Sequence, residues 1–230
     1  MRRALVFPLV LLALHVQQAT AAHAQACVAD QHGGLVCGEG KAAMRVVADT
    51  MSPSKDYAFA WRTPQGLPSG SDSPENIENV LIRVSDGAML AKLGGEYWAT
   101  DAMRANRYEL IAAWSPDSRS VIEVANSRWE SDSFAYYRID GATAAKLDLR
   151  ALVEPVIAAR LPPRNRKGNA FRVRTDQPVT LDARGRLRFT AMLYVPKSET
   201  SNDYKVLVNI RTSGGKPTAQ VVSVRRAKAD

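Results

Sequence analysis

Histidine is scarce in this chain of 230 residues, which contains only three. His15 and His23 lie in or beside the apolar N-terminal stretch, which leaves His32 as the one histidine that could serve a Ser-His-Asp arrangement. The G-x-S-x-G, H-E-x-x-H and phosphate-loop motifs are also missing from the sequence. The residues therefore predict no catalytic set and no cofactor.

Long hydrophobic runs are missing as well, apart from one at the N-terminus. An Arg-Arg pair precedes an apolar stretch over residues 5–14, and small residues that fit the A-x-A rule follow it. This order is typical of a secretory signal peptide, here over residues 1–26 with cleavage between Ala24 and Cys27. An apolar core strand and a lipoprotein anchored at Cys27 are the alternatives. The signal predicts a periplasmic or secreted protein, with no transmembrane segment after cleavage.

Only two cysteines are present, Cys27 and Cys37. In an exported protein a close pair of this kind predicts a disulfide, because the compartment is oxidising. A metal site that also uses His32 and Asp30 is the alternative. It is disfavoured because thiolate ligands survive poorly under oxidising conditions.

Acidic residues are scarce at the C-terminal end. Residues 27–159 contain 13 Lys and Arg against 18 Asp and Glu, whereas residues 160–230 contain 16 against 5. Two interpretations stay open: charged surfaces that attract each other within the fold, or a basic surface that meets an anionic envelope component or an envelope protein. Nucleic acid is not expected as a partner, because no aromatic residue interleaves the basic cluster Arg164, Arg166 and Lys167. Flanking Pro-Pro and Gly-Asn pairs place that cluster in an exposed loop.

Turns rich in Ser, Pro, Asp and Gly recur along the chain, and each is followed by a run rich in β-branched and aromatic residues. The turns begin at Ser52, Ser115 and Asp182, which are 63 and 67 residues apart. Such repetition indicates one supersecondary unit used three times. The pattern predicts an all-β fold. We expect a single domain over residues 27–230 that contains three propeller-like antiparallel units. A twisted β-sandwich is the alternative. The units are expected at about 45–100, 101–160 and 168–226.

One short helix is predicted within residues 148–160. Asp148 is a favourable N-cap, and apolar residues follow it at helical spacing. Pro155 lies inside this pattern, which predicts a kink or a late start of the helix.

The second turn carries the most specific motif. Residues 113–119, Ala-Trp-Ser-Pro-Asp-Ser-Arg, resemble the W-S-P-D motif of TolB-like, WD40-like periplasmic β-propeller repeat proteins. Residues 137–141, Tyr-Arg-Ile-Asp-Gly, resemble the third strand and closing turn of such a blade. The resemblance implies that Asp117 organises a tight turn within a blade, and it brings no catalytic residues. Three units are fewer than the roughly 4–8 blades of a closed propeller, so open edges are expected unless residues 46–51 add a strand to the last blade.

Two tryptophans lie in polar segments outside the strands that the turns delimit. These residues, Trp98 and Trp129, form the predicted binding surface together with Arg164, Arg166 and Lys167. The expected function is non-catalytic binding of a component of the cell envelope.

A hydrolase that depends on carboxylates or a metal and acts in the periplasm is the alternative function. It would use acidic residues of the long loops, for which the candidates are Glu130 and Asp132 and, with the same status, Asp72 and Glu75. A structural accessory protein without a ligand is the third possibility.

Overall fold

The computed structural model describes residues 26–31, 33–68, 73–100, 103–163, 168–194 and 201–227. Several predictions fall outside these described residues: the signal peptide as far as residue 25, His32, Asp72, and the basic cluster Arg164, Arg166 and Lys167. Within the described residues the chain is mostly β, with one α-helix and three antiparallel sheets, none of which closes into a barrel. The prediction of an all-β fold with one short helix is confirmed.

The first sheet contains six strands, each hydrogen-bonded to the next one in the chain. They are β1 (Cys27–Ala29), β2 (Leu35–Cys37), β3 (Met44–Val46), β4 (Tyr57–Arg62), β5 (Glu78–Arg83) and β6 (Ala88–Lys92). A short 3-10 helix, Gly40–Ala42, connects β2 to β3.

The second and third sheets follow in sequence. The second consists of β7 (Glu109–Trp114), β8 (Ser120–Asn126), β9 (Ser131–Asp140) and β10 (Thr143–Asp148). The third consists of β11 (Ala170–Val173), β12 (Thr180–Leu181), β13 (Arg186–Tyr194), β14 (Ser201–Ser213) and β15 (Lys216–Arg226). In the third sheet, β13 pairs with β11 and β12 on one side and with β14 on the other, and β15 pairs with β14.

The three repeated turns share one hydrogen-bonding scheme. Ser115 donates its backbone N–H to Ser120 O at 2.9 Å, and its Oγ accepts from Ser120 N at 3.0 Å. Ser52 forms the same two bonds with the residue five positions later, at 2.8 and 3.1 Å. In the third sheet Asp182 replaces the serine, and its Oδ1 accepts from Arg186 N at 2.9 Å. A side-chain oxygen at the first position therefore closes each turn, as Ser and Asp commonly do.

The sheets are stacked, with the second sheet in the middle. Successive side chains of a strand point to opposite faces, so Val121 packs against the first sheet while Ile122 packs against the third. Trp61 fills the first of these two interfaces. In the other, the ring centroids of Phe134 and Phe189 lie 4.7 Å apart. Both faces of the second sheet are thus covered by protein.

The N-terminal hairpin covers the remaining face of the first sheet. β1 folds back so that Cys27 N donates to Val84 O at 3.3 Å, next to the end of β5. Cys37 is buried on this face together with Ala58 and Ile82. Cys27 and Cys37 occupy directly opposed positions of β1 and β2 and form a disulfide. The predicted disulfide is confirmed, and it closes the hairpin that shields this end of the stack.

Helix α1 (Leu149–Ala158) begins directly after β10. Asp148 caps it by accepting a hydrogen bond from Ala151 N at 3.0 Å, and Pro155 lies within it. Three apolar side chains of the helix are buried in the cluster shared with the second and third sheets: Leu149, Val153 and Ile157. Across the described ranges no helix has both the length and the apolar character needed to span a membrane.

A buried carboxyl group lies between the first and second sheets. Glu123 on β8 is fully buried, and its Oε1 accepts from Gly94 N at 2.6 Å while its Oε2 accepts from the Tyr137 hydroxyl at 2.9 Å. Burial raises the pKa of Glu123 above its ordinary value of 4.5, because loss of hydration disfavours the charged form more than these hydrogen bonds favour it.

Replacing Glu123 with Gln is expected to remove a pH dependence of stability. The native protein binds the Glu123 proton more tightly than the unfolded chain does, so this residue lowers the free energy of unfolding as pH rises from about 4.5 through the raised pKa. Glu123→Gln does not titrate, so its stability relative to wild type should increase over that pH range. Urea unfolding at several pH values measures this difference, with the exposed Glu96→Gln as the control. Identical pH profiles for wild type and Glu123→Gln would contradict the expectation.

Candidate functional site

Trp98, which the sequence predicts on a binding surface, lies in the core. It is 9% exposed, and its ring packs edge-on against Trp61 with the ring centroids 6.4 Å apart. The Asn79 side chain holds the preceding residue, donating to Tyr97 O at 2.6 Å and accepting from Tyr97 N at 2.9 Å. The polar sequence around Trp98 is therefore anchored to the first sheet, which turns the indole inward. This placement corrects the prediction for Trp98.

Trp129 lies in the turn between β8 and β9 and is 52% exposed. The guanidinium carbon of Arg128 lies 4.3 Å from its ring centroid, within the range of a cation–π contact. Arg172 braces the turn by donating to the carbonyl of Ser127. The two tryptophans are not brought together, because Trp98 faces the first interface and Trp129 lies on a surface turn.

Of the loop carboxylates that a hydrolase could use, Glu130 forms an ion pair and Asp132 is exposed. Glu130 Oε2 lies 2.7 Å from Arg150 Nη2, while Asp132 is exposed on β9. The buried Ser131 between them donates to Asn126 Oδ1 at 2.6 Å. In the part of the chain that the structure describes, no three His, Cys, Asp or Glu residues are grouped so that they could hold a metal ion.

The outer face of the third sheet, turned away from the second sheet, carries a cluster of basic side chains. Residues at directly opposed positions of paired strands point to the same face. The pair Phe189 and Val206 faces the core, so the alternate positions face outward. We call four exposed residues at these outward positions the basic face: Arg186, Arg188, Lys205 and Arg225.

Acidic side chains pair with only some of the cations of the third sheet. Next to β11, Arg174 pairs with Asp176 and also lies 2.5 Å from Asp203. On the basic face, Arg188 lies 3.4 Å from Asp182. The other three cations of the basic face have no ion pair among the described residues. A net positive charge is therefore exposed along β13, β14 and β15.

Two of these cations face each other directly. Lys205 on β14 is the register partner of Arg225 on β15. Like charges at opposed positions destabilise a sheet, by about 0.2–1 kcal/mol if their repulsion has the usual size of a cross-strand pair. An anion bound across Lys205 and Arg225 would relieve this repulsion, so the pair favours anion binding at the expense of fold stability.

The sequence contains a signal for only part of the basic face. Arg184, Arg186 and Arg188 alternate along the chain from the third turn into β13. Alternate residues of a strand share one face, so this spacing places Arg186 and Arg188 side by side. Lys205 and Arg225 join them only through strand pairing, which no local pattern specifies.

Comparisons with known proteins leave the family of this chain open. No protein-family model matches the sequence, and no curated protein matches it significantly. The resemblance of residues 113–119 to TolB-like propeller repeats therefore stays a prediction. A functional proposal has to come from the surfaces of this chain itself.

Proposed function

We propose that the protein is exported to the periplasm or secreted, and that it binds an anionic component of the cell envelope through the basic face without catalysing a reaction. The observation that carries this proposal is the exposed cluster Arg186, Arg188, Lys205 and Arg225, of which only Arg188 has an acidic partner among the described residues. Like charges at opposed positions of a sheet cost stability, and a bound anionic partner would compensate that cost.

The shape of this surface favours an extended partner. The basic face lies across three adjacent strands, and strands are spaced about 4.8 Å apart, with alternate residues of one strand about 7 Å apart. Charges at these intervals match an array of phosphate or carboxylate groups, such as a layer of anionic lipid headgroups or a charged polymer. Exposed charges of this kind act through screened electrostatics, so binding should weaken as salt shortens the screening length of about 10 Å at 0.1 M.

The alternative, a carboxylate- or metal-dependent hydrolase, draws less support from the same surfaces. Of its candidates, Glu130 is ion-paired with Arg150, and Asp132 is exposed on a strand with no second carboxylate bonded to it among the described residues. General acid–base chemistry needs groups placed together at a reacting centre. Hydrolytic activity that is lost in Asp132→Asn would favour this alternative.

Neutralising the basic face is expected to weaken binding to anionic membranes about a hundredfold, since each Lys or Arg near such a surface contributes about 1 kcal/mol. The variant is Arg188→Gln/Lys205→Gln/Arg225→Gln. Sedimentation with vesicles containing anionic lipid, and with purely zwitterionic vesicles, measures the affinity at low and high salt. The matched control, Lys55→Gln/Arg104→Gln/Arg107→Gln, removes the same charge from exposed residues before the third sheet.

The stability of the two triple variants separates this proposal from an internal attraction between acidic and basic surfaces. If the basic face serves a partner, its neutralisation leaves the free energy of unfolding unchanged or slightly higher, because the Lys205–Arg225 repulsion is gone. Internal attraction predicts a clear loss of stability and unchanged vesicle binding. Equal binding of anionic vesicles by the basic-face variant and the control variant would also contradict the proposal.

We further propose that the three sheets are propeller-like blades, as the resemblance to TolB-like repeats implies. The shared turn scheme at Ser52, Ser115 and Asp182 supports this, as does the construction of each sheet from consecutive strands. An experimental structure whose sheets converge on one central axis would favour blades. Sheets packed face to face without a common axis would instead identify a twisted β-sandwich.

A further inference from the structure

A cleft separates the second and third sheets at the end where their repeated turns lie. One lobe of about 480 Å³ is lined by both turns, including Asp117 and Arg184. A second lobe of about 420 Å³ lies toward the turn between β9 and β10. The lobes share Arg138 and Thr212. Each volume falls in the range of about 300–1,000 Å³ that is usual for small-molecule sites.

Arg138 occupies the middle of this cleft with most of its hydrogen-bonding capacity unused. Its side chain is 29% exposed, its Nη1 donates to Ser120 Oγ at 3.2 Å, and the same nitrogen lies 3.9 Å from Asp117 Oδ2. A guanidinium carries five N–H donors in a planar fork. Its contacts with the other described residues occupy one of these donors fully, which leaves an edge of the fork for a ligand.

Three further arginines are among the residues that line the cleft. They are Arg119, Arg184 and Arg211, which are all exposed and have no ion pair with another described residue. Arginine binds carboxylate and phosphate groups by two parallel hydrogen bonds, and it does so best where the fork is held in place. Arg138, which Ser120 holds, is therefore the anchor for one anionic group.

Acceptors and hydroxyl groups stand beside these cations. Asp117 Oδ1 accepts from the Ser115 hydroxyl at 2.6 Å, and this bond, followed by backbone and arginine contacts, holds the pKa of Asp117 below its usual range despite partial burial. The Tyr136 hydroxyl lies 2.8 Å from Ser120 Oγ. An ionised Asp117 repels a bare anion but accepts hydrogen bonds from hydroxyl groups. The lining therefore suits a molecule that carries both an anionic group and several hydroxyls.

We propose that this cleft binds an acidic saccharide, that is, a sugar unit bearing a carboxylate or a phosphate group. The anionic group binds the Arg138 fork, flanked by Arg184 and Arg211, and the sugar hydroxyls donate to Asp117. The site shares no residue with the basic face, so it stands independently of the surface proposed to meet the envelope.

Isothermal titration with four probes tests the ligand chemistry: glucuronate, glucose 6-phosphate, glucose and inorganic phosphate. We expect one or both acidic sugars to bind at least about tenfold more tightly than glucose and inorganic phosphate, because only they satisfy both the arginines and Asp117. The tighter of glucuronate and glucose 6-phosphate identifies the anionic group as carboxylate or phosphate. Equal binding of glucose and the acidic sugars, or binding of phosphate alone, overturns the proposal.

Variants locate the site. Arg138→Gln should weaken binding of the acidic sugar about tenfold or more, whereas Arg104→Gln, which removes the same charge from an exposed residue outside both the cleft and the basic face, should leave it unchanged. Arg184→Gln on an exposed turn provides a second variant that does not disturb the interior, and it should weaken binding several-fold. Asp117→Asn should narrow the preference for the acidic sugar over inorganic phosphate. Equal losses in Arg138→Gln and Arg104→Gln would mean nonspecific attraction and would refute the assignment.

Discussion

Replacing both cysteines, in Cys27→Ser/Cys37→Ser, is expected to lower the free energy of unfolding by about 2–3 kcal/mol, the value for closing a loop of this length. The bond joins residues ten positions apart. Without it the unfolded chain gains conformational freedom, and the N-terminal hairpin loses its hold on the outer face of the first sheet. Ala58 and Ile82, which are fully buried on that face, would then become accessible whenever the hairpin opens.

Two measurements distinguish this effect from a general loss of packing. Reductant should lower the stability of wild type to that of the double variant and should leave the double variant itself unchanged. Hydrogen exchange should accelerate in β4 and β5, beneath the hairpin, and not in β14 of the third sheet. A double variant as stable as wild type, or exchange that accelerates equally in all three sheets, would show that the hairpin does not depend on the disulfide.

The features that the sequence predicts well are those decided by neighbouring residues. Ser115 and Asp182 close their turns with side-chain oxygens and backbone groups only a few positions away. Asp148 caps the helix that directly follows it. The Cys27–Cys37 pair is equally local, since it joins the two strands of one short hairpin. Interactions of this kind can be predicted from the sequence because the residues that form them lie within about ten positions of one another.

Burial could not be predicted in the same way. Trp98 stands in a polar stretch, yet its indole is buried because Trp61 and the Asn79 side chain, from two strands of the first sheet, surround the loop that carries it. The hairpin formed by β1 and β2 lies before the predicted first repeat unit, which begins at about residue 45. It joins the first sheet through β3 and by the contact of Cys27 with Val84.

The candidate binding surfaces depend on partners that are distant in the sequence. The excess of Lys and Arg after residue 160 predicts a basic C-terminal region, but its outward position follows from the registers of β13, β14 and β15. The pairing of β14 with β15 also shifts by one residue between Leu207 and Val208. Such a shift changes the face on which a side chain lies, so the outward positions cannot be predicted without knowing it. The cleft around Arg138 likewise needs the second and third sheets to be stacked before its arginines meet.

The two ends of the stack differ in a way that bears on function. At one end the disulfide-closed hairpin covers the apolar face of the first sheet, with Ala60 and Val80 fully buried. At the other end the third sheet presents the basic face to its surroundings. Terminal units of stacked repeats need a polar outer face for solubility, but solubility alone does not require one sign of charge. Interspersed acidic residues would serve as well, but the one acidic residue of β14, Asp203, pairs with Arg174. Lys205 and Arg225 are left without an ion pair among the described residues, which favours a partner.

Gly185→Ala is expected to destabilise the protein by about 3 kcal/mol or more, which is large for a single methyl group. Gly185 closes the third turn with a positive φ of 73°, and a Cβ there would clash with the backbone carbonyl of Ile210. Ile210 N also donates to Gly185 O at 2.8 Å, so β14 cannot move away without losing this bond. The substitution should therefore separate the third turn from β14 and open one wall of the cleft.

Gly141→Ala is the matched control, because Gly141 also has a positive φ, 59°, but a Cβ added there meets nothing within 4 Å. This substitution should lower the free energy of unfolding by only about 1–2 kcal/mol, the cost of holding a non-glycine residue in the left-handed conformation. The difference between the two variants in urea unfolding then isolates the clash with Ile210. Because Gly185 lines the larger lobe of the cleft and Gly141 the smaller one, titration of both variants with the acidic sugar adds a second readout. Equal destabilisation by the two substitutions would mean that the approach of β14 to the third turn does not constrain this site.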